Sequence, residues 1–142
     1  MSDDLLAKAS ITVAVPPAKA WHALVDPATI KQCMFGTDVI TDWREGSPIV
    51  WKGEWKGKSY EDKGVVLQCK PERVLQYTHF SPLSGQPDKA ENYHTVTIQL
   101  SGERDQTHIS LVQDNNPTKQ ARDHSQKNWE TMLAGLKQFL ER

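Results

Sequence analysis

Two cysteines, Cys33 and Cys69, make up the whole thiol complement, and no CxxC spacing joins them. That scarcity excludes a disulfide framework and a cysteine-built zinc site, and both thiols are expected to be buried core groups. No apolar run reaches the length needed to cross a bilayer. The opening residues, Met1-Ser2-Asp3-Asp4, are acidic and lack the basic and then apolar pattern of a secretion signal. Membrane insertion is therefore not expected, and a cytoplasmic location is. An excess of one charge is missing too, since 17 Lys and Arg stand against 18 Asp and Glu. A nearly neutral chain has no general electrostatic attraction to nucleic acid or anionic lipid, so neither is an expected partner. Also absent are a Gly-x-Ser-x-Gly nucleophile elbow, a phosphate-binding loop and a dinucleotide glycine fingerprint. With no recognisable catalytic motif, no cofactor is expected, and a binding protein is expected ahead of an enzyme.

What the sequence does contain is order. Its 142 residues suit one domain, taken here as 1–142. Ile11, Val13 and Val15 alternate with Thr12 and Ala14, the period of a half-buried strand. Pro16-Pro17 ends that strand because proline lacks the ladder N–H, and its fixed φ suits the first turn of a helix. Trp21, Leu24 and Val25 follow at helical spacing, and Asp26-Pro27 restarts the chain as a second short helix. Further strands are predicted over 37–43, 49–55, 60–69, 74–80, 93–100 and 107–114, separated by turn clusters such as Glu45-Gly46-Ser47-Pro48, Lys56-Gly57-Lys58 and Gly102-Glu103-Arg104-Asp105. Ser81 to Ala90 has the composition of an exposed, mobile loop.

A final helix is expected from Asn116 or Thr118, with Pro117 in its first turn. One side carries Ala121, His124, Ser125, Asn128, Trp129, Met132, Leu133, Leu136, Phe139 and Leu140, and the other Asp123, Lys127, Glu130, Lys137 and Glu141. The result is an α+β chain of order β-α-α-(β)6-α, a seven-stranded antiparallel sheet curved around a long C-terminal helix.

The run Val15-Pro16-Pro17-Ala18-Lys19-Ala20-Trp21-His22-Ala23-Leu24-Val25-Asp26-Pro27 and Asn128-Trp129 near the end fit that order. So do Gly64-Val65-Val66 ahead of Lys70-Pro71-Glu72-Arg73-Val74-Leu75-Gln76-Tyr77, and Val96-Thr97-Ile98-Gln99-Leu100. Together they resemble the START-like (SRPBCC, Bet v 1-like) helix-grip superfamily. Within it the chain is similar to single-domain bacterial relatives of the C-terminal domain of the activator of Hsp90 ATPase. The resemblance implies the helix-grip fold, a sheet–helix cavity and, by its name, an Hsp90-like chaperone as a partner.

A helix across a curved sheet leaves a cavity unless large side chains fill it. Trp51, Trp55, Tyr77 and His79 are expected on the inward face, with Gly53 leaving room between the two tryptophans. From the helix, Ser125, Trp129 and Met132 complete a pocket with a polar mouth and an apolar floor, and the helix N-terminus near His124 and Ser125 favours an acceptor head. His79 and His94 are expected to meet across neighbouring strands. Two histidines without a third ligand do not make a zinc site, so no metal is expected. The leading expectation is a protein that binds a small hydrophobic or amphipathic ligand. Co-chaperone activity is the second, and a cyclase- or hydrolase-like enzyme using a pocket histidine and Tyr77 the third, although no partner carboxylate stands out in the sequence. Both a monomer and a homodimer fit.

Overall fold

The computed structural model describes residues 5–33, 36–55, 57–82 and 85–141, apart from the side chain of Trp55. The first strand, β1 (Ala7–Val13), stops at the two prolines. Pro16 supplies the carbonyl for the Lys19 and Ala20 amides, and α1 (Pro17–Val25) begins there. Asp26 then caps α2 (Pro27–Cys33), its Oδ2 accepting from the Thr29 hydroxyl at 2.8 Å and the Thr29 amide at 3.3 Å. Those bonds hold the Asp26 carboxyl below the usual carboxylate range. Six strands follow: β2 (Asp38–Ile40), β3 (Pro48–Trp55), β4 (Lys58–Lys70), β5 (Val74–His79), β6 (His94–Glu103) and β7 (Gln106–Gln113). The chain closes with α3 (Lys119–Leu140).

The seven strands form one antiparallel sheet in the order β1-β7-β6-β5-β4-β3-β2, so the first strand reaches the far edge beside the last. Alternation places Leu75, Val96, Ile98, Leu100, Ile109 and Leu111 on the covered face, where they join Met132, Leu133, Leu136 and Leu140 of α3 in one core.

Several expectations need correction. The strand over 37–43 shrinks to Asp38–Ile40, because the Thr41 and Asp42 side chains bond the backbone amides of Trp43 and Arg44 and turn the chain. Pro117 precedes the helix rather than sitting in its first turn, and Thr118 is the cap, accepting from the Ala121 amide at 3.0 Å. Lys137 and Glu141 do not simply face water. Lys137 Nζ donates to the Thr12 carbonyl at 2.8 Å, and Glu141 Oε2 accepts from the Ala14 amide at 2.8 Å. With Gln126 accepting from the Lys8 amide, these side chains occupy the open edge of β1, which would otherwise present unpaired backbone groups.

Both cysteines are half-buried rather than core groups, and neither is in a disulfide. Burial and the nearby Glu45 charge push the Cys69 thiol up.

Candidate functional site

The space between α3 and the sheet is a cavity of about 710 Å³. It exists because the facing surfaces change character along their length. Toward the C-terminal half of α3, Leu133, Leu136 and Leu140 are almost fully buried and fill the gap. Toward its N-terminal half the helix offers Ala121, Ser125 and Asn128, while the sheet offers Asp62, His79 and His94. Small and polar side chains on both surfaces leave the layers apart. The floor is Trp51, Tyr77, Trp129 and Met132, and beneath it the core holds only a gap of about 30 Å³, roughly one water's worth.

Of the side chains expected at the site, Trp51, Tyr77, His79, His94, Ser125, Trp129 and Met132 all line this cavity. The Trp55 side chain lies outside the described residues. Gly53 does not leave an open space. Tyr60, its cross-strand partner in β4, lies over it, and a Cβ on Gly53 would stand 2.5 Å from the Tyr60 hydroxyl oxygen. That hydroxyl is paired with Thr37 Oγ1 at 2.6 Å, which fixes the ring as one wall.

The sheet wall is an aromatic and imidazole cluster. Trp51 packs against Tyr77 with ring centroids 5.2 Å apart and meets His79 edge-on at 5.0 Å. His79 and His94 face each other in the β5–β6 register, their rings stacked at 6.1 Å and 28°. The carboxylate that the sequence did not reveal is Asp62, directly across β3–β4 from Trp51. His79 Nε2 lies 2.9 Å from Asp62 Oδ2, whereas Asp62 Oδ1 is buried without a hydrogen-bond partner among the described residues. His94 Nδ1 lies 2.9 Å from the Asp114 carbonyl oxygen. Burial pushes the His94 pKa below the ordinary 6.5, the neighbouring His79 adds to the effect, and the Asp114 bond opposes it. Burial also pushes the Tyr77 phenol up, so it stays protonated.

The other wall is a polar chain that sequence reasoning missed. The Trp129 indole N–H donates to Gln113 Oε1, and Gln113 Nε2 reaches Asn116 Oδ1 at 3.4 Å. Asn116 Nδ2 donates in turn to the carbonyls of Leu5 and Gln113. Buried amides of this kind need partners, so Gln113 and Asn116 orient Trp129 over the floor. The helix N-terminus is less open to an acceptor head than expected, since Thr118 already takes the Ala121 amide and His124 is exposed.

At the entrance, Ser81 and Gln86 line the cavity. The far end of their loop is tied down: Asp88 accepts from Lys63 and, at 2.6 Å, from the Tyr93 hydroxyl, and Asn92 Nδ2 donates to the Pro87 carbonyl at 2.8 Å. Among the described residues no group of three or more His, Cys, Asp or Glu could hold a metal ion, and no helix is long and apolar enough to cross a membrane.

The solution structure of ChR145 from Cytophaga hutchinsonii is 55% identical, over 96% of this chain and 93% of that one, with a TM-score of 0.83. The Aha1 dimer from Colwellia psychrerythraea, 21% identical over 96% of each chain, superposes at 0.73. CalU16 from Micromonospora echinospora, 24% identical over 94% of this chain and 74% of that one, superposes at 0.71. The last two show the fold alone. A comparison with curated proteins gives no match. The family described as activator of Hsp90 ATPase homolog 1-like protein matches residues 14–141, nearly the full length, and the chain belongs to that family.

Proposed function

We propose that the protein binds a small hydrophobic or amphipathic molecule in the cavity between α3 and the sheet. The observation that carries this reading is the cavity of about 710 Å³. It lies within the roughly 300–1,000 Å³ usual for small-molecule sites and pairs an aromatic floor with a few polar groups at one end. Trp51, Tyr77 and Trp129 supply contact area, and His79, His94 and Ser125 orient the polar part of the ligand. The family match over 14–141 supports reading the chain as one such domain.

Titration with Nile red, an uncharged apolar dye, tests the reading. Saturable binding at one site per chain is expected, and Ser125→Trp, which places an indole in the mouth, should weaken it by about tenfold or more while the melting temperature holds. Absence of saturable binding up to the dye's solubility limit would remove the proposal.

The Asp62–His79 contact favours a second reading, a cyclase- or hydrolase-like enzyme. Its half-buried carboxylate is the kind of orienting partner that serves a general-base histidine. Unchanged turnover of a converted ligand in both His79→Gln and His94→Gln would eliminate it. Co-chaperone activity rests on the family description alone. A fold does not carry such an activity by itself. An unchanged ATPase rate of a bacterial Hsp90 at saturating protein would rule it out.

A further inference from the structure

The two pocket histidines are oriented by their partners. A backbone carbonyl only accepts, so His94 Nδ1, 2.9 Å from the Asp114 oxygen, carries the proton and Nε2 of the neutral ring is left as a lone-pair acceptor. In a neutral His79 ring the matching arrangement, Nε2–H on the Asp62 carboxylate, leaves Nδ1 as the acceptor. Neither remaining nitrogen has a partner among the described residues, and neither is a buried unsatisfied atom, so both keep accessible surface on rings that line the cavity. The nearby amides of Gln113 and Asn116 are already engaged with Trp129 and Leu5.

We propose that this end of the cavity selects amphipathic ligands whose polar head donates a hydrogen bond, a phenol or alcohol hydroxyl, over ligands with an anionic head. The inference rests on the cavity-binding reading above and deepens it. A hydroxyl meets two stacked acceptor rings. A carboxylate head meets the same lone pairs and, behind His79, the negative Asp62, and would be held well only after a ring took up a proton. The burial that keeps His94 neutral opposes that step. Asp62 and the Asp114 carbonyl act here as positioning groups that fix the tautomers.

The test compares para-heptylphenol, para-heptylanisole and para-heptylbenzoate, which share a tail and ring and differ in the head, by tryptophan fluorescence and calorimetry at neutral pH. The phenol should bind roughly three- to tenfold tighter than either of the others, the worth of one well-made hydrogen bond. His79→Phe and His94→Phe should each narrow the phenol-to-anisole ratio, and saturable Nile red binding by each substituted chain reports that the cavity is still present. The wild-type ranking is decisive by itself should a substituted chain fail to fold. Equal binding of all three, or tightest binding of the benzoate, overturns this inference and leaves the cavity reading standing. A ratio unchanged in both variants overturns the assignment to these histidines. If none of the three binds, the cavity reading falls and the inference with it.

Discussion

His79 and His94 stand opposite each other on β5 and β6 with their rings stacked at 6.1 Å, and each points one nitrogen at a protein oxygen belonging to a different part of the chain. The sheet thus presents two oriented imidazoles at the polar end of an otherwise aromatic cavity. This arrangement has consequences for pH, for stability and for ligand binding.

The first concerns pH. The His94 pKa lies below the ordinary 6.5 in the folded protein, so the unfolded chain takes up this proton first as pH falls. The stability contributed by neutral His94 is full above 6.5 and declines from there until the folded pKa is passed. Imidazole proton shifts followed by NMR should place the His94 midpoint below 6.5, and a midpoint at or above it would contradict the burial described here.

Gly64 is irreplaceable for a steric reason. A Cβ there would stand 1.8 Å from the Thr78 carbonyl oxygen, a backbone atom that cannot swing aside. Gly64→Ala should therefore destabilise by about 3 kcal/mol or more, beyond the usual cost of overpacking. Gly135, inside α3 with nothing within 4 Å of its Cβ position, is the control. Gly135→Ala should stabilise by up to about 1 kcal/mol. Urea denaturation reads both.

Gln113→Leu removes the acceptor of the Trp129 indole and one partner of Asn116. Leaving the indole N–H donor and the Asn116 Oδ1 acceptor unpaired should cost about 1–3 kcal/mol and shift the Trp129 indole resonance. A neutral result would mean that the chain from Trp129 to Leu5 contributes no orientation.

Leu136→Ala acts at the closed end of the sandwich, where the side chain is 1% exposed. A loss of about 2–5 kcal/mol in chemical denaturation is expected, because tight surroundings collapse little around the void. Asn128→Ala, at the open end, should cost well under 1 kcal/mol, since this exposed side chain has solvent to replace it.

The strand and helix order was legible because alternation and proline placement are local signals. The Val13 to Asp26 stretch reads directly as strand, proline stop and helix, and the apolar stripe of α3 reads from Met132 to Leu140. What escaped depends on register. Asp62 reaches His79 only because β4 is offset against β5 by an irregularity between Val66 and Gln68, and no local pattern announces it. Tyr60 is a wall because it faces Gly53 across a hairpin, so an absent side chain signalled an occupied space. Gln113 and Asn116 looked like the polar end of a strand and a turn. Their role appears only once Trp129 comes back over them from a distant helix.

On the proposed function, a ligand lodges between α3 and the aromatic end of the sheet. The most direct test of that reading is a proton–nitrogen and methyl NMR titration with Nile red. Saturable shifts are expected at the Trp51 and Trp129 indoles, at the Met132 methyl and at the His79 and His94 amides. Shifts confined to the exposed apolar residues Ile40, Val65 and Leu67, on the surface away from the cavity lining, would contradict it.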